Sequence, residues 1–324
     1  MPSSAPTLAP LLDRRFTVIT GKGGVGKSTV TALLGQRAAA AGHRTLICEL
    51  NTQERVAPMF GRPPSGSEIT AIVPNLYSVN IEPRAAMEEY ALMKLKIRAI
   101  YRLVFENPLV QRFVRFIPGM NDLLMLGKAF NHERERTRSG RPVWDRIIID
   151  APATGHGISL LRLPRIIRDA VPAGNMHNEA AAMWNLVTDP ERTAVHLVCL
   201  PEELPVQETR QLHDALVDQL GVPMGALFLN MVPPPLLDDG TRVLFETLSP
   251  PDDDTARTLW DLTTVRQKRE ALAAGYGAQL ESLGMPLVQL PTQYSPQFGP
   301  KELTRLGQAL DQQALGQQPG EVPA

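Results

Sequence analysis

Cysteine is almost missing. Only two occur in 324 residues, Cys48 in LICEL and Cys199 in HLVCLP, each inside an apolar run that reads as a buried strand. This excludes a disulfide-stapled scaffold and points to two buried thiols in a reducing compartment. Six scattered histidines offer no metal-ligand spacing. Charge of one sign is also missing: 33 Lys and Arg face 34 Asp and Glu, for a net charge of -1. A chain-wide basic surface for nucleic acid is therefore not expected. No apolar run is long enough to span a bilayer, so stable membrane insertion is not expected. The first stretch, MPSSAPTLAPLLDRRF, has neither the basic start nor the continuous apolar core of a signal peptide. The expected location is cytoplasmic. The guanine-reading NKxD motif is absent as well.

What is present is alternation. FTVIT (16–20) runs into a glycine turn as a strand, and a helix follows over about 27–41. Its Val30, Leu33, Leu34, Ala38 and Ala41 share one face, and Gly42 ends it. TLICEL (45–50) completes a βαβ unit with a right-handed crossover. Further strands are expected at RIIID (146–150), AVHLVCL (194–200), ALFLN (226–230) and PLVQL (286–290), with helices at 205–220 and 301–313 among others. The pattern predicts an α/β fold: a doubly wound, mostly parallel sheet. Residues 85–140 break the rhythm with helical segments whose apolar positions exceed one face, and read as a helical insertion subdomain. The expected organisation is a flexible leader (1–13), a first part of the main domain (14–84), the insertion (85–140), the remainder (141–315, with a candidate helical lid at 174–187) and a Gln/Gly/Pro-rich disordered tail (316–324).

GKGGVGKS matches G-x-x-x-x-G-K-[ST] in the required place, after a strand and opening a helix. Gly21, Lys22, Gly23, Gly24, Val25, Gly26, Lys27, Ser28 and Thr29 thus form a candidate phosphate cradle. Close glycines let backbone N–H groups wrap phosphate oxygens, and the helix N-terminus adds partial positive charge. Lys27 is expected between the β- and γ-phosphates, and Ser28 on Mg²⁺. Asp150, ending RIIID, is the candidate second metal-site residue. ATP with Mg²⁺ is the expected cofactor pair, since nothing marks a guanine reader.

Lys22, beside the first glycine, makes the loop resemble the deviant phosphate loop of dimeric ATPases. That resemblance implies a catalytic lysine that reaches the partner's nucleotide. RIIIDAPATGHGISLLRLP (146–164), PGMNDLL (118–124), LPEELPVQETRQL (200–212) and LFLNMV (227–232) follow in order. Together they resemble the ArsA and guided-entry (tail-anchored protein targeting) ATPases over about residues 16–291. The resemblance implies that Asn230 bonds adenine, Pro291 flanks it and Glu202 contacts nucleotide near a dimer interface. It also implies a homodimer, or a pair with a paralogous subunit, that takes a hydrophobic helix or tail-anchored client.

Two departures stand out. Asn51 occupies the position where that family carries its water-activating aspartate. An amide cannot accept a proton, although it can orient water, so slow hydrolysis is expected. Glu49, Gln53 and Glu54 are nearby groups able to substitute. The zinc-binding CxxC of the guided-entry dimer is absent, as are the metalloid-binding cysteines of the arsenite pump. Two other readings follow from these residues. One is an ATP-binding scaffold or heterodimer subunit with little hydrolysis. The other is a MinD- or ParA-like positioning ATPase, whose terminal helix would use Leu303, Leu306 and Leu310. Six methionines (Met87, Met93, Met120, Met125, Met176, Met183) fall between 85 and 185 and suit either an adaptable apolar groove or self-packing.

Overall fold

The computed structural model describes residues 11–50, 53–83, 85–86, 120–152 and 155–314. Eight strands form one sheet: β1 (Phe16–Gly21), β2 (Thr45–Leu50), β3 (Thr70–Val73), β4 (Leu76–Ile81), β5 (Arg146–Asp150), β6 (Thr193–Cys199), β7 (Met224–Val232) and β8 (Leu287–Pro291). Their order across the sheet is β3-β4-β2-β5-β1-β6-β7-β8. Every neighbouring pair is parallel except β3 with β4. β1, β2 and β6 are buried along their whole length, which is why they read as unbroken apolar runs rather than alternating ones.

β3 and β4 add a hairpin that the sequence reading did not contain. Pro74 and Asn75 turn the chain, with Asn75 at φ 64, and the short, partly exposed β3 guards the sheet edge.

The described helices are α1 (Lys27–Ala40), α2 (Val56–Met59), α3 (Met120–Arg134), α4 (Gly155–Ala170), α5 (Asn175–Val187), α6 (Glu203–Asp214, continued by a π-helical turn Ala215–Leu220), α7 (Asp239–Thr247), α8 (Asp254–Glu281) and α9 (Pro300–Ala314). Their hydrophobic contacts divide into two clusters, one on each side of the sheet. Leu33 and Leu34 of α1 and Leu303, Leu306 and Leu310 of α9 join Ile47, Ile148 and Phe228 on one side. Residues of α3, α4, α5 and α6 cover Leu46, Cys48, Ile147 and Ile149 on the other. The α9 leucines are thus buried, and its apolar stripe is spent on the core.

Asp253 caps α8 by accepting the Ala256 N–H at 2.8 Å, so the DDD run at 252–254 starts a helix. Leu11, within the stretch expected as a leader, is buried. Of the expected insertion, residues 85–86, α3 and the segment that follows it are described. Met87 and Met93 lie outside the described residues, whereas Met125 and Met183 are buried and Met176 is exposed. Both cysteines are free and buried. Among the described residues no helix is long and apolar enough to cross a membrane.

Candidate nucleotide-binding site

The loop between β1 and α1 lies at the C-terminal edge of the sheet, where open α/β sheets bind their ligands. Its glycines are there for geometry. Gly24 (φ 83) and Gly26 (φ 94) are left-handed, a conformation that a Cβ would strain. Gly24 faces open space. Gly26 is the N-cap of α1, and no side chain caps that helix start. The Thr29 N–H turns back to the Gly26 carbonyl at 3.0 Å, while the Lys27 and Ser28 N–H groups ahead of it have no side-chain cap, which is what an anion requires.

The rest of the loop is braced from a distant part of the chain. Asn230, 3% exposed near the end of β7, donates from Nδ2 to the Val25 carbonyl at 2.9 Å. A Cβ on Gly26 would collide with that same amide. The side chain expected at adenine thus holds the loop itself in shape. Lys27 curls back, donating to the carbonyls of Gly21 at 3.1 Å and Lys22 at 2.9 Å. Burial pulls its ammonium below the ordinary range, and Asp150 opposes that shift. A cation whose hydrogen bonds, among the described residues, go to carbonyls of its own loop suits a group awaiting phosphate.

Ser28 and Asp150 meet directly: the Ser28 hydroxyl donates to Asp150 Oδ2 at 2.6 Å, and Thr31 reaches Oδ1 at 3.4 Å. Burial pushes the Asp150 carboxyl up, opposed by the Ser28 hydrogen bond and the Lys27 charge. A hydroxyl and a carboxylate converging beside a phosphate cradle are hard oxygen donors of the kind Mg²⁺ takes.

Lys22 behaves differently from Lys27. Its Nζ leaves the loop and ion-pairs with Glu208 of α6. Glu208 lies within LPEELPVQETRQL but is not marked by it as a site residue, because a mid-helix glutamate carries no signal until α6 packs beside the loop. Glu202 is exposed at the N-cap of α6. Pro291 closes β8 next to Val232 of β7, and Asn51 lies outside the described residues. Gln53 is exposed. Glu54 turns away to accept the backbone N–H groups of Ser65 and Gly66.

Comparison with known proteins agrees with this geometry. The family described as "Anion-transporting ATPase" matches residues 14–177. "ATPase BagA" of Mycobacterium tuberculosis is 30% identical over 324 residues, covering 93% of this chain and 94% of that protein.

The chain belongs to the ArsA ATPase family.

It is an ATPase of that family on a P-loop α/β fold. Family members reach well beyond this length. "Arsenical pump-driving ATPase" of Escherichia coli is 26% identical over 309 residues, covering 90% of this chain and 48% of that protein. "Putative arsenical pump-driving ATPase" of Halobacterium salinarum is 27% identical over 259 residues, covering 75% of this chain and 39% of its own length. The present chain thus spans about half or less of these two ArsA relatives.

Proposed function

We propose that this ArsA-family chain binds Mg-ATP, hydrolyses it slowly as a dimer, and uses the nucleotide state to open and close an apolar surface for a client or partner. The observation that carries the reading is the division of labour between the two loop lysines. Lys27 covers its own cradle, while Lys22 is directed out of the loop onto α6. A lysine aimed away from its own phosphate site fits one that serves a second copy's nucleotide. There its charge offsets what develops on the leaving oxygen. In this reading Ser28 and Asp150 hold the magnesium, which neutralises phosphate charge. Gly21 to Thr29 supply amide donors, Asn230 holds the loop and meets the adenine edge, and Glu202 and Pro291 border the nucleotide.

The apolar surface has a physical link to that site. The segment after Asp150 leads into α4, and Ile167 of α4 lines a groove with Leu123 and Gly127 of α3 and Met176 and Met183 of α5. A change of ligands at Asp150 pulls on the start of a helix that forms the groove wall. The dimer has a second support. Val243, Leu244, Leu248, Leu259, Leu262 and Leu272 of the α7–α8 region are each more than half exposed. So much large apolar surface in one region is the mark of an interface.

Phosphate release and light scattering with ATP test the reading. The expected result is slow turnover by the wild type, loss of turnover in Lys22→Ala, and an ATP-dependent doubling of mass. A solitary chain under saturating ATP whose rate is unchanged by Lys22→Ala overturns it. Asn51 supports a second reading, a nucleotide-holding subunit. A silent wild type with an active Asn51→Asp variant is its signature.

A further inference from the structure

Two buried carboxylates stand side by side at the ends of neighbouring strands, and only one of them has a full set of partners. Glu49 of β2 is the direct register partner of Asp150 of β5. Two residues earlier on each strand, Ile47 and Ile148 pack into the same cluster as Leu33 and Leu34 of α1. Strand alternation therefore sends Glu49 and Asp150 to that same side, over the start of α1 where Ser28 lies.

Glu49 is fully buried. Its Oε1 accepts the backbone N–H groups of Arg55 at 2.8 Å and Val56 at 3.3 Å, tying the start of α2 to the sheet. Its Oε2 is buried and has no hydrogen-bond partner among the described residues. A buried carboxylate oxygen without a donor, next to a second carboxylate, is an arrangement that water-filled or cation-filled space satisfies and bare protein does not. Burial also lifts the Glu49 carboxyl to about 7, Asp150 adding to the lift and the two backbone N–H groups opposing it.

We propose that Glu49 is a further residue of the magnesium site, its Oε2 holding the metal's water shell from β2 while Asp150 holds it from β5. The inference rests on the nucleotide reading above. It picks one residue out of the three that could stand in near Asn51, because Glu54 is engaged by Ser65 and Gly66 and Gln53 faces solvent. Glu49 thereby does two jobs with two oxygens: Oε1 fixes the segment that begins α2, and Oε2 reads whether metal is present. Metal loading and the position of that segment become one event.

The test separates the two oxygens. Glu49→Gln keeps a carbonyl oxygen for the Arg55 and Val56 N–H groups but removes the charge; Glu49→Ala removes both. The probe is Mn²⁺ binding to the ADP complex of the full chain, followed by the paramagnetic signal of free Mn²⁺, with metal-free ADP affinity and the melting temperature measured alongside. The expected result is a 10- to 100-fold weaker Mn²⁺ affinity in Glu49→Gln, the usual effect of losing an outer-shell carboxylate. Metal-free ADP affinity stays within about threefold and the melting temperature is not lowered. Mn²⁺ affinity within twofold of wild type in Glu49→Gln, with a defect confined to the melting of Glu49→Ala, overturns the proposal and leaves Glu49 as a loop anchor. A wild type that binds no ADP at all instead overturns the nucleotide reading itself.

Discussion

Gly26→Ala and Asn230→Ala form a pair whose effects should cancel in part, and the reason is a single collision. In the wild type, Gly26 sits at φ 94 with the Asn230 amide where a Cβ would be, and that amide holds the Val25 carbonyl. Alanine at 26 imposes left-handed strain of roughly 1–2 kcal/mol. It also evicts the Asn230 side chain, leaving the Val25 carbonyl unpaired at roughly 1–3 kcal/mol. The single variant should thus lose about 2–5 kcal/mol. Asn230→Ala alone loses only the second part. In the double variant the collision has nothing left to strike, so its total should equal that of Gly26→Ala rather than the sum. The expected coupling is ~1–3 kcal/mol in the favourable direction, read by urea unfolding in a double-mutant cycle. ATP titration should follow the same order, with each 1.4 kcal/mol that reaches the loop worth about tenfold in affinity. Additivity within about 0.5 kcal/mol would refute the brace, because it would mean that Asn230 and Gly26 do not share the same space.

Two further outcomes are expected. His196 on β6 is fully buried, with Nδ1 accepting the Ala226 N–H at 2.7 Å. Burial holds its ring at about 4 rather than the ordinary 6.5. Its neutral form therefore stabilises the fold fully above 6.5, and that contribution fades as pH falls from there toward 4, amounting to roughly 2–3 kcal/mol by pH 4.5. The stability difference between wild type and His196→Gln should show this slope in urea melts, and a pH-flat difference would contradict it. Glu208→Gln frees Lys22 from a half-exposed ion pair worth about 0.2–1 kcal/mol. Turnover should rise by roughly 1.4- to 5-fold, and only while Lys22 is present. A loss like that of Lys22→Ala would instead make Glu208 part of the working site.

The legible part of this molecule is the part whose physics is local. Three close glycines and a lysine between a strand and a helix define the phosphate loop without help from any other segment, and the buried strands announce themselves as apolar runs. β2 and β5 fall where their sequences place them, at Thr45–Leu50 and Arg146–Asp150. The hairpin of β3 and β4 was not legible because an edge strand needs no strong apolar pattern; Thr70 and Ala71 are exposed. The Asp run at 252–254 marks where the 28-residue α8 starts, but its length was not legible for a related reason: much of it is solvent-facing, with only Ala273, Gly277 and Leu280 buried. Partnerships across the fold were invisible in principle. Nothing in QETR shows that Glu208 meets Lys22, and nothing in CEL shows that Glu49 stands beside Asp150, since both depend on which strands become neighbours.

That β1 is flanked by β5 and β6 and its loop steadied from 205 positions away has a bearing on synthesis. A ribosome emitting the first sixty residues releases the whole phosphate-loop signature with none of the walls that shape it. Competence for nucleotide should switch on abruptly, only after Asn230 clears the exit tunnel, with sequence-distant pairing setting the pace. Nascent chains stalled before that point should pass through ATP resin unretained, and those stalled well beyond it should stick.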